Sequence, residues 1–345
     1  MKVVIPMMGM GRSGGERVLA KLANALVDKG EDVYIVAPES NCLPYYPLDS
    51  KIVILKSKVK RTRFKFLNFF FNMYYLLCKS RAVNADVAIA NYHLTAYIVA
   101  LLKSSVNKFY YIQAYEVNFS KRYTLKMLAF FSYLLPLKKI VNSKLLLPSY
   151  INNYIEVIPP GIDLDLFKSI NKEIDTKKLK IGFIGRREPY KGSREIIDVL
   201  SKFYLNNRFD FSLNIAVYMD VNWMNKIESF NFYEIHNDEQ LADFYRLNDI
   251  IIATGLIEDG AFHYPCAEAI ASNCLVISNY APLVNGESIL SLKSFDKEEL
   301  AKKIEQCFEL SQSDIINELA SNYQLVKDSS WSIVGDKFHK ILLHM

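Results

Sequence analysis

The chain has 345 residues, 51% of them hydrophobic and 13% aromatic, with only 13 Gly and 11 Pro; this excludes disorder and, at about 100–200 residues per domain, favours two domains. Five scattered cysteines, Cys42, Cys78, Cys266, Cys274 and Cys307, form no C-x-x-C pair, which excludes a disulfide framework and a structural zinc site and fits a reducing cytoplasm. The net charge of +5 joins two unlike halves, 22 Lys and Arg against 9 Asp and Glu over residues 1–160 and 20 against 28 over residues 161–345, which marks a boundary and draws anions to the first half.

Short β-branched runs open the chain and alternate with helical patterns. Strands are expected at Lys2 to Pro6, Asp32 to Ala37, Lys51 to Leu55, Asp86 to Ala90 and Lys108 to Gln113, and a helix over Glu16 to Lys29, where Val18, Leu19, Leu22, Ala25 and Leu26 fall at helical spacing. After a break at Pro159, Pro160 and Gly161 the pattern restarts at Leu179 to Ile184, Phe211 to Val217, Asp249 to Ala253 and Cys274 to Ser278. Closing helices are expected at Asp296 to Leu310 and Ser332 to Leu343. Alternation of this kind predicts α/β architecture: two Rossmann-like parallel-sheet domains, 1–160 and 161–330, facing each other across a cleft, with a helix over about 331–345 returning to the first.

The apolar run near Met1 stops at Gly9, too short for a signal-peptide core, and the greasy stretches Phe64 to Cys78 and Leu125 to Leu137 fall short of the ~20 residues of a membrane span. Between Lys51 and Asp86 there is no acid, and six cations fall in the ten residues from Lys56 to Lys65. The aromatic run that follows, Phe64 to Leu77, is apolar on nearly every side, so part of that helix reads as core. Aromatics among cations also suit nucleic acid. Two glycine-loop domains have no role in that reading, and no nucleic-acid partner is expected.

Open parallel sheets bind ligands at the carboxyl ends of their strands, so the strand-to-helix turns carry the argument. The first is Gly9-Met10-Gly11-Arg12-Ser13-Gly14-Gly15-Glu16, formally a G-x-G-x-x-G whose glycines and helix N-terminus suit a phosphate. An NAD or FAD enzyme would place an acid about 20 residues on. The nearest candidate, Glu39, stands 30 residues after Gly9. In the second half, Gly185-Arg186-Arg187-Glu188-Pro189-Tyr190-Lys191-Gly192 sets Arg186 and Lys191 on a loop, a forked contact and a point charge suited to a diphosphate. A third turn runs from Glu258 to Ile270; Pro265 suits the first helical position, the amides of Phe262 and His263 would point at an anion, and Glu268 would reach ribose hydroxyls.

Together these motifs resemble, over essentially the whole chain, the retaining glycosyltransferases of the GT-B fold, family 4. Gly14-Gly15-Glu16 resembles that family's amino-terminal glycine loop, and Val157-Ile158-Pro159-Pro160-Gly161-Ile162-Asp163 through Phe167 its linker. Gly185-Arg186 through Lys191-Gly192 is similar to its G-R-x-x-x-x-K-G donor loop, Phe262 through Glu268 to its G-F-G-L-P-x-x-E helix start, and Tyr245 through Asp249 to its Y-x-x-A-D. The resemblance implies transfer from a nucleotide-diphosphate sugar to a glycan or lipid-linked acceptor, as in surface polysaccharide or glycoconjugate synthesis. The first domain would take the acceptor and the second the donor. Arg186 and Lys191 would be catalytic, steadying the leaving diphosphate; Gly14, Gly15, Phe262, His263 and Glu268 would bind the donor; His93, Tyr115 and Glu116 are acceptor-side candidates. Same-face attack, with the departing phosphate taking the acceptor's proton, requires no protein nucleophile and no cofactor.

Two departures stand out. The family's first Glu, eight residues before the second, falls on Gly260, with Glu258 and Asp259 displaced beside it. This departure motivates an alternative, a catalytically silent sugar-nucleotide-binding scaffold. The turn where many members carry His reads Gln113-Ala114-Tyr115-Glu116 here. Asp163-Leu164-Asp165, formally a metal-binding D-x-D, reads as linker and helix cap, so no metal is expected. The basic first half and a lipid-linked acceptor together place the enzyme in the cytoplasm, peripheral on the inner face of the membrane.

Overall fold

The computed structural model describes residues 1–168, 172–206, 209–227 and 229–344. It divides into two compact units, Met1–Gly161 with the chain from Trp331 onward, and Ile162–Ser330.

The first unit runs β1 (Lys2–Pro6), α1 (Gly14–Asp28), β2 (Asp32–Pro38), β3 (Val53–Ser57), α2 (Lys65–Ala82), β4 (Val87–Ala90), α3 (His93–Ala100), β5 (Asn107–Ile112), α4 (Tyr123–Ser132), β6 (Lys138–Val141) and β7 (Glu156–Val157). All seven strands are parallel, in the order β3-β2-β1-β4-β5-β6-β7. Val3, Val4 and Ile5 of the central β1 are fully buried, as befits a strand covered by helices on both faces.

The second unit runs α5 (Leu164–Phe167), β8 (Leu179–Ile184), α6 (Ser193–Asn206), β9 (Phe211–Ala216), α7 (Val221–Met224), β10 (Asn231–Tyr233), α8 (Asp238–Leu247), β11 (Ile250–Ile252), α9 (Tyr264–Ala271), β12 (Leu275–Ile277), α10 (Lys297–Glu309) and α11 (Gln312–Gln324). Its parallel sheet has the order β10-β9-β8-β11-β12. In both sheets the winding reverses beside the first strand, at β1/β4 and at β8/β11, and such switch points open a crevice at the carboxyl edge.

The expected closing helix over 331–345 is α12 (Trp331–His344), residue 345 lying outside the described residues. It packs on α1, where Gly335 faces Ala25 so closely that an added Cβ would come within 2.9 Å of the Ala25 Cβ. His339 Nε2 lies 2.6 Å from Glu31, which also holds the amino terminus.

The part of α2 that is core is its carboxyl end. Leu76, Leu77 and Ser80 are buried, but Phe64, Phe66, Leu67, Phe69, Phe70, Phe71 and Tyr74 are exposed, because only the last two turns reach the sheet and its neighbours. Among the described residues no helix is long and apolar enough to cross a membrane.

Candidate active site

The donor turn of the second unit is built by close packing at the end of β8. Gly185 donates its amide to Ala216 O at 2.8 Å, and any Cβ there would meet Tyr218 O at 1.8 Å, so only glycine lets the two strand ends approach. The next amide, that of Arg186, donates to Ser193 Oγ at 2.9 Å, which fastens the loop to the start of α6. Arg186 keeps its guanidinium side exposed, whereas Arg187 stacks over the Tyr218 ring at 5.1 Å. The loop closes through a single 3₁₀ turn, Pro189–Lys191, and Tyr190 O accepts from the Leu256 amide at 2.8 Å, joining it to the segment after β11.

Electrostatics bring three of the expected residues together. Burial pushes the Lys191 ammonium below the ordinary lysine value; Glu258 opposes the shift and Arg186 adds to it. Burial holds the His263 imidazole well below its usual value, and Lys191 and Arg186 add to this. His263 is therefore neutral at pH 7. Its Nδ1 is sealed from solvent without a hydrogen-bond partner, and the ring lies 4.5 Å from that of Tyr280. Two cations and a neutral imidazole thus converge at the β8/β11 switch point.

The third turn is pinned to the segment after β12. Asn279 accepts from the Gly255 amide at 3.1 Å and donates to Gly255 O at 2.8 Å and to Asp259 Oδ1 at 2.5 Å. The His263 amide donates to Ala281 O at 3.0 Å. That corrects the expectation that this amide is free for an anion, because a short parallel bridge between Phe262 and Ala281 consumes it. The helix starts one residue early, at Tyr264, so Pro265 is its second residue and not its first. Gly260 sits at φ +76°, in the left-handed region where a side chain is strained, and Glu258 in the same turn takes up such a backbone at φ +64°. The Glu258 carboxylate acts electrostatically on Lys191.

Glu268 is 1% exposed and accepts from Tyr245 Oη at 3.2 Å. A ribose reaches this carboxylate only if the side chains covering it shift. Asn279 and Thr254, whose buried Oγ1 has no partner, were not anticipated. Their signal was available: each is a polar residue within two positions of the end of an apolar strand at a switch-point edge.

In the first unit Ser13 caps α1 in a capping box with Glu16, at 3.2 and 3.0 Å. Gly14 faces open space, and Gly15 lies against Asn91 and Gln113, which follow β4 and β5. Gln113 Nε2 and Asn142 Oδ1 are sealed and unpartnered. Glu39 is no ribose acid, since its carboxylate accepts from the Val59 amide at 3.0 Å.

The acceptor-side candidates separate. Glu116 is 3% exposed: Oε2 accepts from the His93 amide at 2.8 Å and lies 2.6 Å from His93 Nδ1, and Oε1 accepts from Tyr110 Oη at 3.1 Å. His93 is also buried, at 6% exposed. Tyr115 is half-buried beside Tyr150, its hydroxyl raised to about 12 by burial and by the hydrogen bond to Tyr150.

Asp163 accepts from the Leu166 amide at 3.3 Å and caps α5. Among the described residues no three His, Cys, Asp or Glu side chains gather in a metal-ligating group.

Residues 12–166 match the sequence profile described as Glycosyltransferase Family 4. A comparison with curated proteins gives no match. Among solved structures the chain is similar to sucrose-phosphate synthase from Thermosynechococcus elongatus, with TM-score 0.77 and 15% identity over 99% of this chain and 98% of that one. It is similar to Anabaena HepE in complex with UDP-glucose, with TM-score 0.72 and 14% identity over 100% of both chains. WaaG, a glycosyltransferase involved in lipopolysaccharide biosynthesis, aligns with TM-score 0.72 and 12% identity over 99% of this chain and 100% of that one. The chain thus has the fold of the GT-B glycosyltransferase structures along its whole length, and its residues 12–166 match the family 4 profile.

Proposed function

We propose that the protein is a retaining glycosyltransferase that moves a sugar from a nucleotide diphosphate to a glycan or lipid-linked acceptor in surface polysaccharide or glycoconjugate synthesis. The observation that carries the reading is the convergence of Arg186, Lys191 and neutral His263 at the β8/β11 switch point. Cleaving the donor leaves a diphosphate, and fixed cations in a partly desolvated site stabilise the charge that develops on it. His263 stays neutral, so its imidazole binds donor oxygens without competing for the cations' counter-charge. Phe262 and Glu268 complete the donor side, in residues 161–330. On the acceptor side, residues 1–160 offer the Gly14-Gly15 helix start and Tyr115, with Glu116 and His93 holding the turn in place. The departing phosphate takes the acceptor's proton in a same-face attack, so no side chain acts as nucleophile.

UDP-sugars are the first donors to test, because HepE was solved with UDP and with UDP-glucose. Incubation with a panel of nucleotide sugars, followed by mass spectrometry of the released nucleotide, is expected to single out one donor. Binding without release from any donor would favour the silent scaffold that Gly260 suggests.

Transfer is expected to be metal-independent, since Arg186 and Lys191 meet the leaving group's charge and Asp163 is occupied as a helix cap. Activity should survive exhaustive chelation. Loss restored by Mn²⁺ or Mg²⁺ would return a metal to the mechanism.

The excess of cations in residues 1–160 supports a cytoplasmic enzyme held reversibly at an anionic inner membrane face, where a lipid-linked acceptor resides.

A further inference from the structure

We infer that α2 enters the lipid: the aromatic side chains between Phe64 and Tyr74 insert below the headgroups of an anionic membrane, with α2 lying in the plane of the interface. The inference rests on the membrane-associated reading above and replaces adsorption by charge with insertion.

Helix α2 has two apolar faces. One, with Leu76, Leu77 and Ser80, is buried in the unit. The other carries Leu67, Phe70, Phe71 and Tyr74, at i, i+3, i+4 and i+7, and these are 44%, 52%, 38% and 58% exposed. This spacing puts them in one stripe along the helix. Phe66, 71% exposed, widens the stripe at its amino end, its ring 4.5 Å from that of Phe70. A contiguous aromatic surface of this kind marks an interaction site.

The cations stand beside the rings by construction. Asn72 Oδ1 accepts from the Lys60 amide at 2.7 Å; Asn68 accepts from the Thr62 amide at 2.6 Å and donates to Thr62 O at 2.9 Å. These bonds lay the basic loop along the helix, and Lys60 Nζ sits 5.1 Å from the Phe71 ring centroid. Rings flanked by long basic side chains fit a membrane interface, where rings take the acyl boundary and ammonium groups take the phosphates. A second copy of this chain fits poorly, because matching patches would oppose six cations of Lys56 to Lys65 with the same six. The loop also leaves the carboxyl end of β3, the sheet edge at which Gly15 and Asn91 lie. A lipid-linked acceptor would therefore arrive on the edge that binds it.

The full chain with Phe70→Trp is mixed with vesicles of phosphatidylcholine alone or of phosphatidylcholine and phosphatidylglycerol, with the unaltered chain as background for Trp223 and Trp331. On the anionic vesicles we expect a blue shift, quenching by brominated lipid, and protein that stays in the pellet through a wash in molar salt. Replacing Phe66, Phe70 and Phe71 together by Ser should lower the partition coefficient by about tenfold per ring, with thermal unfolding unchanged because these side chains are exposed. Binding that the salt wash strips completely, without a spectral shift, overturns insertion and leaves charge adsorption standing. Absence from both pellets overturns both readings. A concentration-dependent dimer abolished by the triple Ser variant would give the stripe to a second copy and overturn the inference.

Discussion

Replacing Arg186 or Lys191 by alanine is expected to lower sugar transfer about a hundredfold or more, with the second unit still folded. The magnitude follows from the role: a cation beside a departing diphosphate acts where charge develops, and at Lys191, which is desolvated by burial, water replaces it poorly. Folding should survive because the Arg186 side chain is exposed and only its backbone amide holds the loop, while Lys191 carries a charge that burial already disfavours. His263 offers a second readout. Its imidazole is held down by burial first and then by Lys191 and Arg186, so removal of either cation should raise its pKa toward the ordinary value, visible in an NMR titration. Two alanine variants with full activity would end the donor-loop assignment. Lost activity with an unmoved His263 would mean that the loop had rearranged, and lysine at 186 or arginine at 191 should then rescue little.

Much of the α/β architecture was legible because parallel strands buried on both faces are largely apolar, as in the runs around Val3, Val33 and Ile181. Edge strands such as β7 and β10 were left unread, being two and three residues long with little hydrophobic signal to offer. At α2 the sequence does not say which part is core: an aromatic residue counts the same whether it fills a core or faces outward, and only the packing of neighbours distinguishes Leu76 from Phe70. At the site, glycine and charge were readable from the order of strand, loop and helix, which is why Gly185, Arg186 and Lys191 could be named. Connections across the sheet edge were not. Neither the Asn279 clamp on Gly255 nor the Ala281 carbonyl that takes the His263 amide follows from local sequence, since each joins segments 18 or more residues apart.

Glu116→Ala is expected to cost about 3–5 kcal/mol of stability, since several buried polar groups lose their acceptor at about 1–3 kcal/mol each. The carboxylate meets three groups at once: the His93 amide at the start of α3, His93 Nδ1, and Tyr110 Oη from β5. Its own amide donates nothing to them and is accepted instead by Tyr133 Oη at 2.8 Å, so backbone and side chain together tie the turn after β5 to α3 and α4. Alanine strands an amide, an imidazole nitrogen and a phenol in a region 3% exposed, and at about 2–4 °C per kcal/mol the melting temperature of the unit should fall by roughly ten degrees. Glu116→Gln separates structure from chemistry. Its amide keeps a carbonyl oxygen for the His93 and Tyr110 donors but loses the second oxygen and the charge, so the melting temperature should recover most of the difference. If Glu116 positions the turn that carries Tyr115, transfer should recover in step with stability and the acceptor KM should stay near that of the unaltered chain. Full stability combined with lost turnover would instead put the carboxylate in contact with the acceptor, and the buried pair with His93 would then be a state that opens when the acceptor binds.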